Sequence, residues 1–409
     1  MTQGPVADRI EDPEPMGYGW TRQAVMAIII LMAASMVGQA FGRFAYGVLL
    51  NAITDDVGLS LSAAGFLGTA SFVAYLVGTG VVAYLSTRFN PVTLVKVGLA
   101  TSTVALGILS VSDSFALLIV GFSVAGLGGA AIWIPAPAIA SMMVGPDRGG
   151  FAIGLVGTGI GLGVMVLGPI TFLVRELTSQ AAWQPVYATL AGIGLVTLLL
   201  ALALLRLPES DHEATRVDLG AIRAIPGWNW LAAAFGAFGL AYSLFFLFLV
   251  AHLESIGWTS ARAGVVFTVT GAASAVGGLL FGRLSDRYGR IAGMLTGFAI
   301  MAISPPLTLI GTSVPVFAGA VGFGLCVAGT PTSIGAAAAD WLTGRAFGAA
   351  WGALTFVFGV AQLAGPQISG AIADRTGSFN VSFGLSTVLA LLGAVAVLGF
   401  RAATASTSR

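Results

Sequence analysis

Charge is what this 409-residue sequence has least of. Charged side chains make up 9% of it, against roughly a quarter in soluble domains. A chain so poor in water-seeking groups cannot clothe a globular surface. With 57% apolar residues and a mean hydropathy of +0.94, it reads as an integral membrane protein. The single cysteine, Cys326, excludes an intrachain disulfide, and its apolar surroundings make it a small core residue. There are two histidines, no His/Cys cluster and no Walker loop. Metal chemistry, ATP-driven transport and enzyme catalysis therefore have no residues to work with, and no cofactor is expected. A net charge of +1 supplies no basic field for nucleic acid. The partner expected from composition is a lipid bilayer. Met1 to Gly19 is polar and acidic, without the basic start and short apolar core of a signal peptide, and reads as a disordered tail.

What is present is a series of long apolar runs. A helix crosses a bilayer with about 20 apolar residues. Breaks at charged, proline or glycine-rich points leave twelve such spans: 24–50, 62–86, 92–112, 115–143, 149–174, 183–205, 229–252, 261–283, 291–311, 315–342, 346–373 and 380–401. The expected organisation is a cytoplasmic tail over 1–22, a six-helix half over 23–205, a cytoplasmic central loop over 206–228, a second six-helix half over 229–401 and a tail over 402–409. Basic residues orient it. With both termini cytoplasmic, Arg9, Arg22, Arg88, Lys96, Arg148, Arg206, Arg216, Arg223, Arg283, Arg287, Arg290, Arg345, Arg401 and Arg409 fall on the cytoplasmic side. Only Arg175, Arg262 and Arg375 fall opposite. A multi-pass protein of the cell (inner) membrane follows. Trp20, Trp183, Trp228, Trp230, Trp258 and Trp341 fall at span ends, where an interfacial aromatic belt belongs.

Arg43 remains inside span one. An arginine at that depth costs about 2.5–3.5 kcal/mol on insertion scales, so it is expected to face a bundle interior or a water-filled cavity. Ser35, Gln39, Arg43 and Tyr46 are spaced four, four and three. On an α-helix they share one face, a polar stripe suited to the wall of a solute pathway. The halves also repeat. Arg148 precedes Gly168-Pro169 by twenty residues, as Arg345 precedes Gly365-Pro366, and Phe41-Gly42 through Ala45-Tyr46 is echoed by Phe238-Gly239 through Ala241-Tyr242. Parallel repeats of six helices are a known transporter plan, with the solute site near the midplane.

After span eight the chain reads Gly282-Arg283-Leu284-Ser285-Asp286-Arg287-Tyr288-Gly289-Arg290. This resembles the signature loop of the major facilitator superfamily. The first-half counterpart keeps Arg88 but has Thr87 at the acidic position. The resemblance extends over the chain from about residue 20. It implies a gate of Asp286, Arg287, Arg290, Arg88, Arg148 and Arg345, with Asp286 beside the N-termini of spans five and eleven. It also implies a cavity lined by spans one, four, seven and ten. Trp133 between its neighbours and Pro135 and Pro137 on span four, Thr330 to Ser333 about Pro331 on span ten, and Tyr242 and Ser243 on span seven then become pathway candidates. Arg-Phe-Ala-Tyr-Gly at 43–47 is similar to poorly characterised YbfB/YjiJ-type bacterial members. A basic residue on span one is a general likeness to monocarboxylate transporters.

No acid sits in mid-membrane to neutralise Arg43, so a bound anion is the natural counter-ion. The expectation is therefore an all-α, twelve-helix secondary transporter of a small organic anion, a carboxylate, working by alternating access. Arg43 would bind the charge, Gln39 and Tyr46 orient it, Trp133 contact its apolar part and Tyr242 complete the wall. Proton coupling has two candidates, His252 and Glu254, at the outer end of span seven. Asp374 is expected to pair with Arg375, and Asp340 with Arg345. A rival is a drug/proton antiporter, which the Gly168-Pro169 step partly resembles, although a cationic drug needs a buried acid. A non-transporting membrane sensor is a second rival, and it would need a soluble module that the short loops do not offer.

Overall fold

A computed structural model describes residues 20–86, 88–144, 149–179, 182–206, 225–341 and 344–407. It contains twelve helices long and apolar enough to cross a membrane. The first six are Arg22–Val57, Leu61–Leu85, Pro91–Ser110, Phe115–Val144, Ala152–Leu177 and Gln184–Leu204. The second six are Trp228–Ser255, Ser260–Tyr288, Arg290–Leu309, Ser313–Ala339, Ala350–Thr376 and Asn380–Ala405. They are called spans one to twelve. Helix starts follow local chemistry. Thr21, Ser60, Asn90 and Thr259 each accept a backbone N–H of the first turn through the side chain, and Pro91 occupies the first position of span three.

Several spans outrun their apolar cores. Span one stays helical to Val57, beyond the expected end at residue 50, and span eight to Tyr288. Polar residues continue a helix readily once the apolar segment has set its axis, and hydropathy does not mark where they stop. The expected signature loop is thus mostly helix, broken only at Gly289. Its φ of 92° is one that glycine alone adopts without strain. The last helix runs on to Thr407, past the expected limit at 401. Residues 1–19 and 207–224 lie outside the described residues, so most of the expected tail and central loop does as well.

Span four breaks at Ile134–Pro135, as its prolines require, whereas span ten stays helical through Pro331. Span seven breaks at Leu247–Phe248. Of the tryptophans expected at span ends, Trp20, Trp230 and Trp341 are exposed, whereas Trp258 is buried and donates to the Gly311 carbonyl at 3.0 Å. Trp183, just before span six, is fully buried. Trp183 donates its indole N–H to Asp56 at 2.9 Å and stands edge-on to Tyr187. Pairing with a carboxylate on span one draws that indole inward.

The halves meet along spans two and eleven and along spans five and eight. Five hydrogen bonds cross between them among the described residues. Three lie at the end away from the termini. Asp374 of span eleven accepts the backbone N–H groups of Leu61 and Ser62, each at 2.8 Å, and Asn51 donates to Glu254 at 2.6 Å. Thr69 donates to the Leu363 carbonyl at 3.0 Å, and Thr158 makes a longer contact of 3.4 Å with the Ala275 carbonyl. Asp374 therefore does not pair with Arg375. It caps the first turn of span two from the other half. Backbones touch there as well: a Cβ on Gly65 would sit 2.3 Å from the Pro366 oxygen, and one on Gly168 2.4 Å from the Gly264 oxygen. Both Gly-Pro steps thus lie at the contact between halves, where side chains would hold the helices apart.

Candidate functional site

Span one does not cross the bilayer as a plain α-helix. Met36–Phe44 is π-helical and ends with the Ala45 N–H bonded to the Ala40 carbonyl. Such widened turns are rare and gather at functional positions. The extra residue per turn changes what the stripe faces. Gln39 turns into the protein and donates to the Gly129 carbonyl of span four at 2.9 Å. Its side-chain oxygen accepts from Arg43 at 2.8 Å. Ser35 is fully buried with an unpartnered hydroxyl. Tyr46 is rotated off the stripe: it donates to the Ala64 carbonyl at 2.8 Å and packs on Phe122. Its hydroxyl is committed to span two and is not available to orient a solute.

Arg43 is half-buried and spends one of its five donors on Gln39. Its Nε is buried with no hydrogen-bond partner among the described residues. The guanidinium lies 4.3 Å from the ring centre of Tyr75 and 4.5 Å from that of Phe72, both on span two. Ring faces attract a cation by about 0.5–2 kcal/mol each, which offsets part of the cost of burying it. Among the described residues its neighbours are Gln39 and the rings of Phe44, Phe72 and Tyr75, and no carboxylate pairs with it. A planar fork with unused donors and no acid beside it is suited to a carboxylate held bidentately.

Arg43 opens into a narrow cavity between the halves that is continuous with open solvent. Spans one, two, four and seven line it. Phe44 and Tyr46, Ser71 and Phe72, Phe122, and Tyr242 with Phe246 form its walls. Leu247, at the break in span seven, closes the end away from the termini. Its backbone oxygen is 3.0 Å from where a Cβ of Gly47 would be, and its side chain packs on Gly68. Tyr242 stands where the sequence places it. Trp133 does not: it is half-buried, outside the lining and eleven residues beyond Phe122, about 16 Å along a helix. Phe122 is the aromatic that span four supplies.

The gate residues fall at the other end. Arg290 pairs with Asp286 and also with Asp340, at 2.9 and 3.0 Å to the latter's carboxylate. All three belong to the second half. Asp340 thus takes Arg290 as its partner instead of Arg345. Arg287 lies over the Tyr288 ring and Arg88 over Tyr84, both exposed. Arg345 sits in the first turn of a helix beginning at Gly344, and Arg148 lies outside the described residues. His252 and Glu254 are not together. His252 is buried against Phe379 and Phe383 inside the second half, whereas Glu254 faces Asn51 across the halves.

Twelve apolar spans in two halves, clasped at one end around a central cavity, define a transporter of the major facilitator superfamily. The chain belongs to the family described as uncharacterised MFS-type transporter YbfB, whose model matches residues 35–398. It is 24% identical to monocarboxylate transporter 13 of Rattus norvegicus over 93% of this chain and 89% of that one. It is 26% identical to the agnestins efflux protein AgnL12 of Paecilomyces divaricatus over 94% and 89%. Among solved structures it resembles a bacterial homologue of the human lysosomal transporter Spinster in an inward-facing, unoccupied conformation. That match has a TM-score of 0.71 at 15% identity and covers 94% of this chain and 98% of the other.

Proposed function

We propose that this protein carries an organic carboxylate across the cell membrane by alternating access, with Arg43 as the anion-binding group. The observation that carries this reading is the chemistry around Arg43: one donor used, a buried Nε with no hydrogen-bond partner and no carboxylate paired with it among the described residues. Desolvating an arginine without a counter-ion is costly, and a bound carboxylate is the counter-ion that the site lacks. Gln39 holds the guanidinium through Gly129, and Ser71 offers a second unpartnered hydroxyl in the cavity wall. The likeness to monocarboxylate transporters supports the same reading.

Both termini are cytoplasmic in this proposal. The end clasped by Asp374, Asn51 and Glu254 is then the outer gate, closed, with the cavity facing the cytoplasm. The Asp286–Arg290–Asp340 cluster sits at the inner gate and exchanges partners when that gate closes. Symport with protons is proposed, and Glu254 is the better of the two coupling candidates because it is bonded across the outer gate. The antiporter alternative gains nothing from the cavity, which has no carboxylate among its lining residues.

The test is counterflow of labelled carboxylates in proteoliposomes. Wild type is expected to accumulate label, and Arg43→Gln, inserted in equal amount, is not. Normal counterflow by Arg43→Gln overturns the proposal.

A further inference from the structure

Six of the twelve residues lining the cavity are aromatic. They are arranged as well as abundant. Phe44 of span one meets Tyr242 and Phe246 of span seven edge to face, with centres 6.4 and 5.2 Å apart and planes at 78° and 89°. Tyr242 and Phe246 are nearly parallel, 5.5 Å apart at 21°. That parallel run continues toward the terminal side through Phe238, 6.1 Å from Tyr242 at 18°, and Phe235, 6.0 Å from Phe238 at 21°. Residues 235, 238, 242 and 246 recur every three or four positions and so share one face of span seven. The result is a wall of aligned ring faces leading to a cation.

The polar inventory is equally informative. The Tyr46 hydroxyl is spent on Ala64 and that of Ser243 on the Leu240 carbonyl. Arg43, the buried hydroxyl of Ser71 and the phenol of Tyr242 remain. All of these can donate to an anion, and no acid lines the cavity to receive an ammonium group. A sugar would leave most of its hydroxyls unpaired against ring carbons. An amino acid would bury an uncompensated cation beside Arg43.

We infer that the substrate is an aromatic monocarboxylate lacking an amino group, with its carboxylate on Arg43 and Ser71 and its ring in the cavity against the wall that Phe44, Phe72, Tyr242 and Phe246 form together. This rests on the anion reading of Arg43 and adds the identity of the other end of the molecule. A flat ring gains offset-stacked and edge contacts that a saturated ring of the same size does not. Apolar transfer alone would favour the saturated ring, which is larger in surface, so the two effects have opposite signs.

The experiment measures binding to the purified full-length protein by calorimetry, comparing benzoate, phenylacetate, cyclohexanecarboxylate, hexanoate and phenylalanine. Phenylacetate and benzoate are expected to bind about tenfold more tightly than cyclohexanecarboxylate, and phenylalanine not at all. Phe246→Leu is expected to bring the roughly tenfold preference for the aromatic over the saturated acid to near one, read as the ratio of the two affinities, and Phe44→Leu serves if that variant does not fold. Equal affinity for the aromatic and saturated acids, with both lost in Arg43→Gln, overturns this inference and leaves the anion reading standing. Failure of every acid to bind wild type overturns both.

Discussion

Removing the carboxylate of Asp374 should loosen the contact between the halves at the end away from the termini, by an amount the structure sets. Asp374 accepts two backbone N–H groups from the first turn of span two, across the line between the halves. Losing a capping acceptor costs about 0.5–2 kcal/mol. Two features place this case near the middle of that range. The site is exposed, so water replaces part of what is lost. Span two also keeps its own cap, the Ser60 hydroxyl that accepts from Ala63 at 3.1 Å. A cost of about 1 kcal/mol changes the ratio of protein open at this end to protein closed there about fivefold. Pulsed electron resonance can read this. Nitroxides are placed at Asp55→Cys and Arg375→Cys, exposed positions on either side of the gate, in a Cys326→Ala background. Asp374→Ala should shift weight from the short to the long distance about fivefold, and Asp374→Asn, which keeps one acceptor, by less. If the distance distribution of Asp374→Ala matches that of the parent, the cross-half cap does not hold the gate and the reasoning fails.

Other outcomes follow from the same geometry. Gly65→Val places carbon atoms where the Pro366 oxygen lies, 2.3 Å from the position of a Cβ, so the gate cannot close and the same label pair should read almost wholly long. An unchanged distribution would mean that the two spans do not meet there. Tyr46→Phe removes the bond to Ala64 and should lower unfolding stability by about 1 kcal/mol. Its carboxylate affinity should stay within twofold, and a tenfold loss would restore Tyr46 as a ligand. Glu254→Gln should uncouple uptake from an imposed pH gradient, whereas His252→Phe should leave coupling intact because His252 packs among rings of its own half. Uptake that depends on pH equally in both variants would remove Glu254 from the coupling scheme.

Much of the fold was legible in the sequence because a bilayer imposes one strong rule: backbone polar groups in hydrocarbon must be paired within a helix. Apolar runs therefore gave the number of spans, and their starts within a few residues. Their ends were less legible, since the polar tails at Asn51 to Val57 and Arg283 to Tyr288 carry no hydropathy signal. Arg43 stood out because a lone charge in a long apolar run is expensive. Tyr46 leaves the stripe because its spacing from Arg43 puts both on one face only at α-helical period, and Met36–Phe44 is π-helical. The aromatic face of span seven is legible in its three- and four-residue spacing, whereas no local pattern marks that Phe122 and not Trp133 lines the cavity. The partners of Asp374 lie more than 310 positions away in sequence. A contact of that kind comes from docking one half on the other, which local pattern does not encode.

The most direct measurement is the affinity of purified wild type, Arg43→Lys and Arg43→Gln for a panel of carboxylates from acetate to phenylacetate. Truncating one side of a buried, hydrogen-bonded charge pair costs about 2 kcal/mol or more, so Arg43→Gln should lose at least about thirtyfold. Arg43→Lys keeps the charge without the planar fork and should fall between the two. Carboxylate binding by Arg43→Gln as tight as that of wild type would contradict the assignment and return Arg43 to a structural role between Gln39, Phe72 and Tyr75.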